Sequence, residues 1–248
     1  MNIIAIIPAR SGSKGIKNKN IANVAGFPLL AYSIAAAKLS SKISRIIVST
    51  DSDEYAQIAK SYGAEVPFLR PSEISGDKSL DIEYLDYTLK KLNELGGEEV
   101  DLVVLLRPTT PIRDPFDIEN AIDSLIERDN ASSVVSVKET LECPYKWVKM
   151  NEQGFISSPF SELNTDDVNL PRQSFPKSYI PDGYVDVIRS SEIIVNGKVY
   201  GDNAYAWINC HKFIDIDTIN DLNKVRESNI ENSIVYKYLV DNYGGTKC

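Results

Sequence analysis

Short apolar runs alternate with helix-like spacing along the first half of the chain. Continuous apolar runs fall at 3–7, 46–48 and 102–106, and Val134, Val135 and Val137 suggest a fourth strand, with a weaker run at 66–69. Runs of this kind are typical of strands buried on both faces of a parallel sheet. Between them, apolar residues recur at helical spacing over 29–37, 82–92 and 118–126, and Asp114-Pro115 supplies a helix start before the last of these. The pattern predicts an α/β fold with a doubly wound, mostly parallel sheet.

The alternation stops between residues 143 and 182. This stretch contains five prolines and polar clusters such as SELNTDD, and it is too long for an ordinary loop in a compact domain. We therefore predict an arm at 143–182, inserted into a sheet domain made of 1–142 and 183–248. Within the second part of that domain, the sequence predicts strands at 184–188 and 204–208 and two helices between 218 and 243.

Composition narrows the function classes. The 43% hydrophobic content over 248 residues is that of a folded globular protein, and the net charge of −8 argues against a nucleic-acid partner. The apolar N-terminal run ends at Pro8, too early for a leader or a membrane span. Three widely separated cysteines match neither a disulfide framework nor a metal site. We expect a soluble cytoplasmic protein without membrane contact.

The strongest local signal is a small-residue basic loop that follows the first predicted strand. It reads IPARSGSKGIKNKN over residues 7–20. Glycines let backbone N–H groups approach an anion, and Arg10 and Lys14 can add charge-assisted hydrogen bonds to phosphate oxygens. Neither the P-loop pattern G-x-x-x-x-G-K-[ST] nor the dinucleotide pattern G-x-G-x-x-G is present. From these residues alone, a phosphate site and a solvated surface loop both remain open.

The loop resembles the signature P-A-R-x-G-S-K-G-[IL]-x-x-K-N of the acylneuraminate cytidylyltransferases, the CMP-sialic acid synthetase family. The resemblance continues through IIVSTDSDEYAQIAKSYGAEVPFLRP (46–71), LLRPTTPIR (105–113), PRQ (171–173) and FIDIDTINDL (213–222). It implies a Rossmann-like nucleotidyltransferase fold and a reaction of CTP with a nine-carbon, sialic-acid-like ulosonic acid that yields a CMP-sugar and pyrophosphate.

The resemblance also implies roles for individual residues. Catalytic roles fall on Arg10, Lys14, Lys19 and Asp217, and nucleotide binding involves the loop and two later positions. The nucleotide-binding set is Arg10, Ser11, Gly12, Ser13, Lys14, Lys19, Asn20, Arg70 and Asp81. From the residues alone, Arg70 could equally form a salt bridge at the rim, and Asp81 could cap a helix.

Two carboxylates in the segment IDID form a candidate Mg²⁺ site. Asp215 and Asp217 flank one residue, so in an extended segment both side chains point to the same face. Mg²⁺ takes few carboxylates and completes its shell with phosphate oxygens and water. Asp217 could instead cap the helix that begins near Thr218, or do both. The resemblance favours metal binding by the pair.

The resemblance assigns the acceptor sugar to residues from the middle of the chain. These are Arg107, Thr109, Thr110, Arg172, Gln173 and Asp182. In the family the inserted arm is a dimerisation element, and the arginine matching Arg172 reaches the neighbouring subunit's site. A homodimer with shared active sites is therefore implied. An arginine fork suits the carboxylate of a ulosonic acid.

Two positions depart from the family pattern. Arg107 stands where glutamine is common, and Asp182 stands where asparagine is common in R-P-N-G-A. Because a few polar contacts set sugar specificity, these changes predict an acceptor other than N-acetylneuraminate. Legionaminate, pseudaminate, a deaminated ulosonate and an amino-substituted analogue remain open. His211, the only histidine, is expected to pack or meet solvent rather than act as a base.

Three alternatives to this function remain at the level of sequence. The first is a nucleotidyltransferase for another sugar acceptor, and the second is a nucleotide-binding protein without catalysis. The third is a dinucleotide-dependent oxidoreductase, against which the missing G-x-G-x-x-G and the lysine-rich first loop both count.

Overall fold

The structure, a computed structural model, describes residues 1–211 and 213–244. The strands are β1 (Ile3–Pro8), β2 (Asn23–Val24), β3 (Phe27–Pro28), β4 (Arg45–Ser49), β5 (Leu102–Leu105), β6 (Ser133–Glu139), β7 (Lys149–Met150), β8 (Ile156–Ser157), β9 (Tyr179–Arg189) and β10 (Ala204–Ile208). The α-helices are α1 (Leu29–Leu39), α2 (Asp53–Ser61), α3 (Asp81–Glu94), α4 (Pro115–Ile126), α5 (Ser190–Ile194), α6 (Ile219–Glu227) and α7 (Ile234–Tyr243).

One six-stranded sheet organises the chain, in the order β10-β6-β9-β5-β1-β4. The pairs β1–β4, β1–β5 and β6–β10 are parallel, whereas β9 runs antiparallel to both of its neighbours. The described sheet is thus mostly parallel, as the sequence predicts. Its only antiparallel strand is the one that follows the proline-rich segment.

The hydrophobic core lies on both faces of this sheet. Along β1 the side chains alternate, so that Ile3, Ala5 and Ile7 join the larger cluster while Ile4 and Ile6 join the smaller one. Helices α1, α2, α4, α6 and α7 cover the first face, and α3 and α5 cover the second. This two-sided burial explains why the strands read as continuous apolar runs.

The predicted elements are confirmed with one exception. The weak run at 66–69 is not a strand, because only Glu65 forms an isolated parallel bridge, to Ile47, and the pairing stops there. Pro67 has no N–H to donate to a ladder, which accounts for the end of the pairing. The chain then turns so that the Arg70 N–H donates to the Thr50 carbonyl at 2.7 Å.

The segment between β6 and β9 contains short elements rather than a second sheet domain. It holds the β7–β8 hairpin, three 3-10 turns and a stacked aromatic pair, Tyr145 and Phe175, whose ring centroids are 5.5 Å apart. Many of its apolar side chains are exposed: Leu141, Trp147, Met150, Phe155 and Ile156. Strand β9 begins at Tyr179, inside the range 143–182.

The sheet topology places the site-bearing loops together. Because β4 and β5 both run parallel to β1 and flank it, the chain segments that follow these three strands leave the same end of the sheet. Ligands of open α/β sheets bind outside the carboxyl ends of strands at such a point. Among the described helices, none combines the length and apolar character needed to cross a bilayer.

Candidate active site

The basic loop after β1 is anchored from below by one carboxylate. Asp51, just past β4, accepts hydrogen bonds from the Ser11 N–H and the Ser11 hydroxyl, each at 2.7 Å. Gly12 follows with a φ of 69°, a left-handed conformation that glycine adopts without steric cost. Ser11 and Gly12 therefore shape the turn, and neither contributes to the pocket wall described next.

A cavity of about 480 Å³ opens above the end of β1. Most of the residues that the sequence assigns to nucleotide and metal binding line it, together with two residues of the predicted sugar set. The predicted residues on its wall are Arg10, Ser13, Lys14, Lys19, Asn20, Arg70, Asp81, Arg107, Thr109 and Asp217. The structure thus brings together residues that are up to 207 positions apart in the chain, from Arg10 to Asp217.

Two cations of the loop converge on a single anionic group. The carboxylate of Asp77 accepts from Lys14 Nζ at 2.5 Å and from an Arg10 guanidinium nitrogen at 2.9 Å. The hydrogen bond from Lys14, followed by that from Arg10, holds the pKa of Asp77 below its usual value. Arg10 and Lys14 can therefore bind the same anion, and both can form charge-assisted hydrogen bonds to phosphate oxygens.

A buried arginine and a buried tyrosine form the wall next to the loop. Arg70 is 5% exposed and donates to the Ser49 hydroxyl at 3.0 Å and the Ser49 carbonyl at 2.8 Å. Its guanidinium lies 4.3 Å from the centre of the Tyr84 ring. Burial holds the pKa of the Tyr84 hydroxyl well above its usual value. That hydroxyl is buried and has no hydrogen-bond partner within the geometric limits among the described residues.

The IDID segment forms the opposite wall of the cavity. Ile216 is fully buried, and its N–H donates to the Thr109 carbonyl at 2.9 Å, which ties the segment to the loop after β5. Lys19 Nζ donates to the Ile216 carbonyl at 2.8 Å and lies 3.4 Å from the Asp217 carboxylate. The basic loop and the acidic segment are therefore joined directly through one lysine.

The two carboxylates of this segment have a donor set that fits Mg²⁺. Desolvation raises the pKa of Asp215, and repulsion from the Asp217 carboxylate adds to the shift, while a hydrogen bond with Thr109 opposes it. Asp217 lies on the cavity wall with a side chain that is 76% exposed. Among the described residues, no cluster of three or more His, Cys, Asp or Glu could hold a metal. A metal here would depend on two carboxylates plus ligand oxygens, which is the donor set that Mg²⁺ accepts.

Arg107 lies at the cavity floor between two carboxylates. One terminal nitrogen is 2.7 Å from Asp81 and the other is 2.7 Å from Asp186, whose side chain is only 1% exposed. Burial lowers the pKa of Arg107, but attraction to Asp186, Tyr84 and Asp81 outweighs it and holds that pKa well above its usual value. Arg107 is thus a permanent cation within the cavity.

The remaining predicted sugar contacts lie away from this cavity. Thr110 is fully buried and donates to the Gly183 carbonyl at 3.2 Å. Asp182 is 5% exposed and accepts from the Ser136 hydroxyl at 2.5 Å and Asn209 at 3.0 Å. Arg172 and Gln173 line a separate cavity of about 460 Å³ beside the proline-rich segment. For these four residues, contact with a sugar stays a prediction.

His211 does not line this cavity. Its imidazole Nε2 is 3.4 Å from the Asp117 carboxylate, and its side chain is more than half exposed.

Sequence reasoning missed four residues with polar side chains at or beside the cavity. Asp77, Ser79 and Tyr84 line it, and Asp186 supports Arg107 from behind. One signal was available, because Tyr84 lies three positions after Asp81 and therefore one helical turn along the same face of α3. The pairing of Asp186 with Arg107 joins β9 to the segment that follows β5, across 79 residues of sequence, and has no local signature.

Gly15 is required by a close approach between the basic loop and the IDID segment. A Cβ at this position would lie 2.8 Å from the backbone carbonyl oxygen of Asp217, a contact that neither backbone can relieve without moving. For the CTP-dependent reaction that the family resemblance implies, we expect Gly15→Ala to push the cations away from Asp217 and to lower kcat/KM for CTP by about ten- to a hundredfold. Steady-state kinetics checks this.

Gly97→Ala is the control. Gly97 precedes β5 and therefore lies at the end of the sheet away from the loops that form the cavity. Its Cβ would lie 3.0 Å from the Leu92 carbonyl oxygen, and the substitution should leave kcat/KM for CTP within about threefold of the wild type. Equal losses in both variants would contradict the assignment.

Comparison with known proteins identifies the family. The cytidylyltransferase family model matches residues 4–149, which include the basic loop, Arg70, Asp81 and Arg107. The chain is 36% identical over 220 residues to the CMP-N,N'-diacetyllegionaminic acid synthase of Legionella pneumophila, covering 88% of this chain and 92% of that protein. It is 32% identical over 222 residues to the N-acylneuraminate cytidylyltransferase of Escherichia coli, covering 87% of this chain but only 49% of the relative.

Solved structures agree on the fold. A CMP:2-keto-3-deoxy-manno-octonic acid synthetase complexed with CTP superposes with a TM-score of 0.67 at 15% identity, covering 92% of this chain and 98% of that one. A cytidylyltransferase from Leptospira borgpetersenii superposes with a TM-score of 0.57 at 14% identity, covering 98% and 95%. With its sheet, its basic loop and the match over more than half of its length, the chain belongs to the cytidylyltransferase family.

Proposed function

We propose that this protein transfers CMP from CTP to a sialic-acid-like, nine-carbon ulosonic acid and releases pyrophosphate. The observation that carries the proposal is the convergence of Arg10, Lys14 and Lys19 with Asp217 around one cavity. The relatives named for diacetyllegionaminic acid and N-acylneuraminate support the choice of acceptor.

The reaction needs positioning and charge neutralisation more than covalent work by the protein. The anomeric hydroxyl oxygen of the sugar forms a bond to the α-phosphorus of CTP, and the bond from that phosphorus to the bridging oxygen breaks. Pyrophosphate leaves with the bonding electrons, and the hydroxyl proton is lost to water. Arg10 and Lys14 would bind the leaving phosphates, exchanging Asp77 for them, and Lys19 would neutralise charge near Asp217.

The nucleoside end of CTP would lie against the wall formed by Arg70 and Tyr84. The Arg70 guanidinium is held in place by Ser49, and the Tyr84 hydroxyl offers a donor. Asn20 is buried, and its amide nitrogen donates to the Arg10 carbonyl at 3.0 Å. Asn20 also lines the cavity, so its amide oxygen would be an acceptor for a donor on the pyrimidine edge or for a hydroxyl.

Asp215 and Asp217 would hold Mg²⁺ together with phosphate oxygens. Bound there, the ion would supply positive charge against the charge that develops during phosphoryl transfer. The protein's own part is to hold the two carboxylates in place. The hydrogen bond from Ile216 to Thr109 and the hydrogen bond from Lys19 to Ile216 do this.

A direct test is the mass of the product. We expect incubation with Mg²⁺, CTP and a ulosonic acid to give pyrophosphate and a product whose mass is that of CMP plus the ulosonic acid less one water. Recovery of unchanged CTP with every member of a panel that includes N-acetylneuraminate, diacetyllegionaminate and pseudaminate would reject the proposed acceptor class.

The exposed apolar side chains of the segment 143–182 support a homodimer in which this segment is the contact. Such a patch on a folded chain marks an interaction surface. In the dimer Arg172 would serve the neighbouring subunit's site.

This arrangement predicts complementation between two inactive variants, Lys14→Ala and Arg172→Ala. Mixed and reassembled, they should regain up to about a quarter of wild-type turnover, because each hybrid dimer contains one intact site. No regain despite exchange of subunits would contradict shared sites.

A further inference from the structure

The surroundings of Arg107 are asymmetric in a way that bears on the acceptor. Its contact with Asp186 is buried, because that carboxylate is 1% exposed, whereas the carboxylate of Asp81 is 40% exposed. Removing one partner from a buried ion pair is costly, while an exposed partner exchanges readily with water or a ligand. Asp186 is therefore the permanent partner of Arg107, and Asp81 is the exchangeable one.

Asp186 is itself held rigidly. It lies on β9 in the middle of the sheet, paired with Leu105 on one side and Val135 on the other. The Tyr200 hydroxyl donates to the same carboxylate oxygen that contacts Arg107, at 3.2 Å. The guanidinium is thus paired with a buried carboxylate on a central strand, while Arg107 itself lines the cavity.

The exchangeable edge has the chemistry of a carboxylate site. In this structure it already binds a carboxylate, that of Asp81, at 2.7 Å. The planar guanidinium fork matches a carboxylate better than it matches hydroxyls or amides. Thr109 and Asp217 lie on the same cavity wall, so a group bound here is next to the segment proposed to hold Mg²⁺.

We propose that Asp186 is a positioning residue that holds Arg107 as the anchor for the acceptor's carboxylate, which replaces Asp81 on the guanidinium. This proposal rests on the proposed function. It names the acceptor's carboxylate as the group that Arg107 binds, and Arg107 stands where glutamine is common in the family. Asp81, when displaced, becomes free to accept from a hydroxyl of the nucleotide.

The test compares a sugar acid with its methyl ester. The acceptor that gives the highest rate in the ulosonic acid panel is assayed beside its ester, and kcat/KM is measured for both. We expect the wild type to prefer the acid by at least about tenfold, since a hydrogen-bonded charge is lost in the ester. We expect Arg107→Gln and Asp186→Asn to reduce this preference to within about threefold, with the KM for CTP changed less than about twofold.

Matched variants separate positioning from general damage. Asp117 is also a buried carboxylate that accepts from a tyrosine hydroxyl, that of Tyr184 at 2.8 Å, but it lies off the cavity wall. Asp117→Asn should keep the full acid preference even if it lowers stability. Tyr200→Phe removes only the support of Asp186 and should weaken the preference by about two- to threefold. This gentler variant carries the test if Asp186→Asn is not recovered folded.

The outcomes are distinguishable from failure of the proposed function. In the Arg107→Gln background, adding Asp186→Asn should change the acid preference by less than about twofold, because Asp186 acts through Arg107. Survival of the preference in Arg107→Gln together with its loss in Arg172→Gln would assign the carboxylate to the arm and overturn the proposal. No turnover by the wild type with any member of the panel would instead reject the proposed function itself.

Discussion

Replacing Lys14 with alanine is expected to lower the rate of pyrophosphate release from CTP by about a hundred- to a thousandfold. The side chain is 80% exposed and, among the described residues, forms an ion pair with the surface carboxylate of Asp77, so we expect the fold not to depend on it. Arg10 and Lys14 share the Asp77 carboxylate in this structure and are proposed to bind the leaving phosphates in its place. Without Lys14, one of these two cations is missing when negative charge develops on the leaving phosphates. Stopped-time pyrophosphate assays measure the rate, and the melting temperature should stay within about 2 °C.

Lys17→Ala is the matched control for this change. Lys17 lies three residues further along the same loop and is exposed, but it is not part of the cavity wall. The net charge of the loop falls equally in both variants, so a general electrostatic effect would lower both rates. We expect Lys17→Ala to keep at least about half of the wild-type rate. Similar losses in both variants would show that the loop acts by overall charge rather than through Lys14.

Replacing Asp217 with asparagine should lower kcat by a similar factor of about a hundred to a thousand and should raise the Mg²⁺ concentration needed for half-maximal rate at least about tenfold. The isosteric change keeps the shape of the segment but removes the one carboxylate of the IDID segment that lies on the cavity wall. The measurement is the rate of pyrophosphate release as a function of Mg²⁺ at saturating CTP.

The Mg²⁺ titration distinguishes two roles for Asp217. Its carboxylate lies 3.4 Å from Lys19 Nζ, so it could act only by orienting that lysine. In that case kcat would fall while the Mg²⁺ requirement stayed unchanged, which would contradict metal binding. Asp241→Asn, an exposed carboxylate on α7, controls for the change in net charge and should leave both quantities unaltered.

The fold follows from the sequence because local pattern and tertiary structure agree in most elements. Runs such as 102–106 are apolar at every position because helices cover both faces of the sheet. A continuous apolar run is the sequence signal of a strand buried on both faces. At 66–69 the apolar character is also present, yet Pro67 and the turn toward Arg70 prevent a ladder. Backbone hydrogen bonding, rather than hydrophobicity, determines that residues 66–69 do not form a strand.

The candidate site divides in the same way. The basic loop and the IDID segment were predictable because each is a contiguous motif with its own chemistry. The partners that orient them were not, since Asp77 reaches Lys14 and Asp186 reaches Arg107 only after the sheet has formed. Asp182 and Thr110 show the converse, because the motif that contains them is recognisable while their side chains are committed to hydrogen bonds within the protein. Motif identity alone does not say which way a side chain faces.

The central claim is that the protein transfers CMP from CTP to a ulosonic acid and that the reaction takes place in this cavity. The most direct measurement is pyrophosphate release by the purified protein with Mg²⁺, across CTP, ATP, GTP and UTP and a panel of ulosonic acids. We expect release only when CTP and one class of nine-carbon sugar acid are both present. Measurable CTP binding with no release across the whole panel, or equal release with ATP, would contradict the claim.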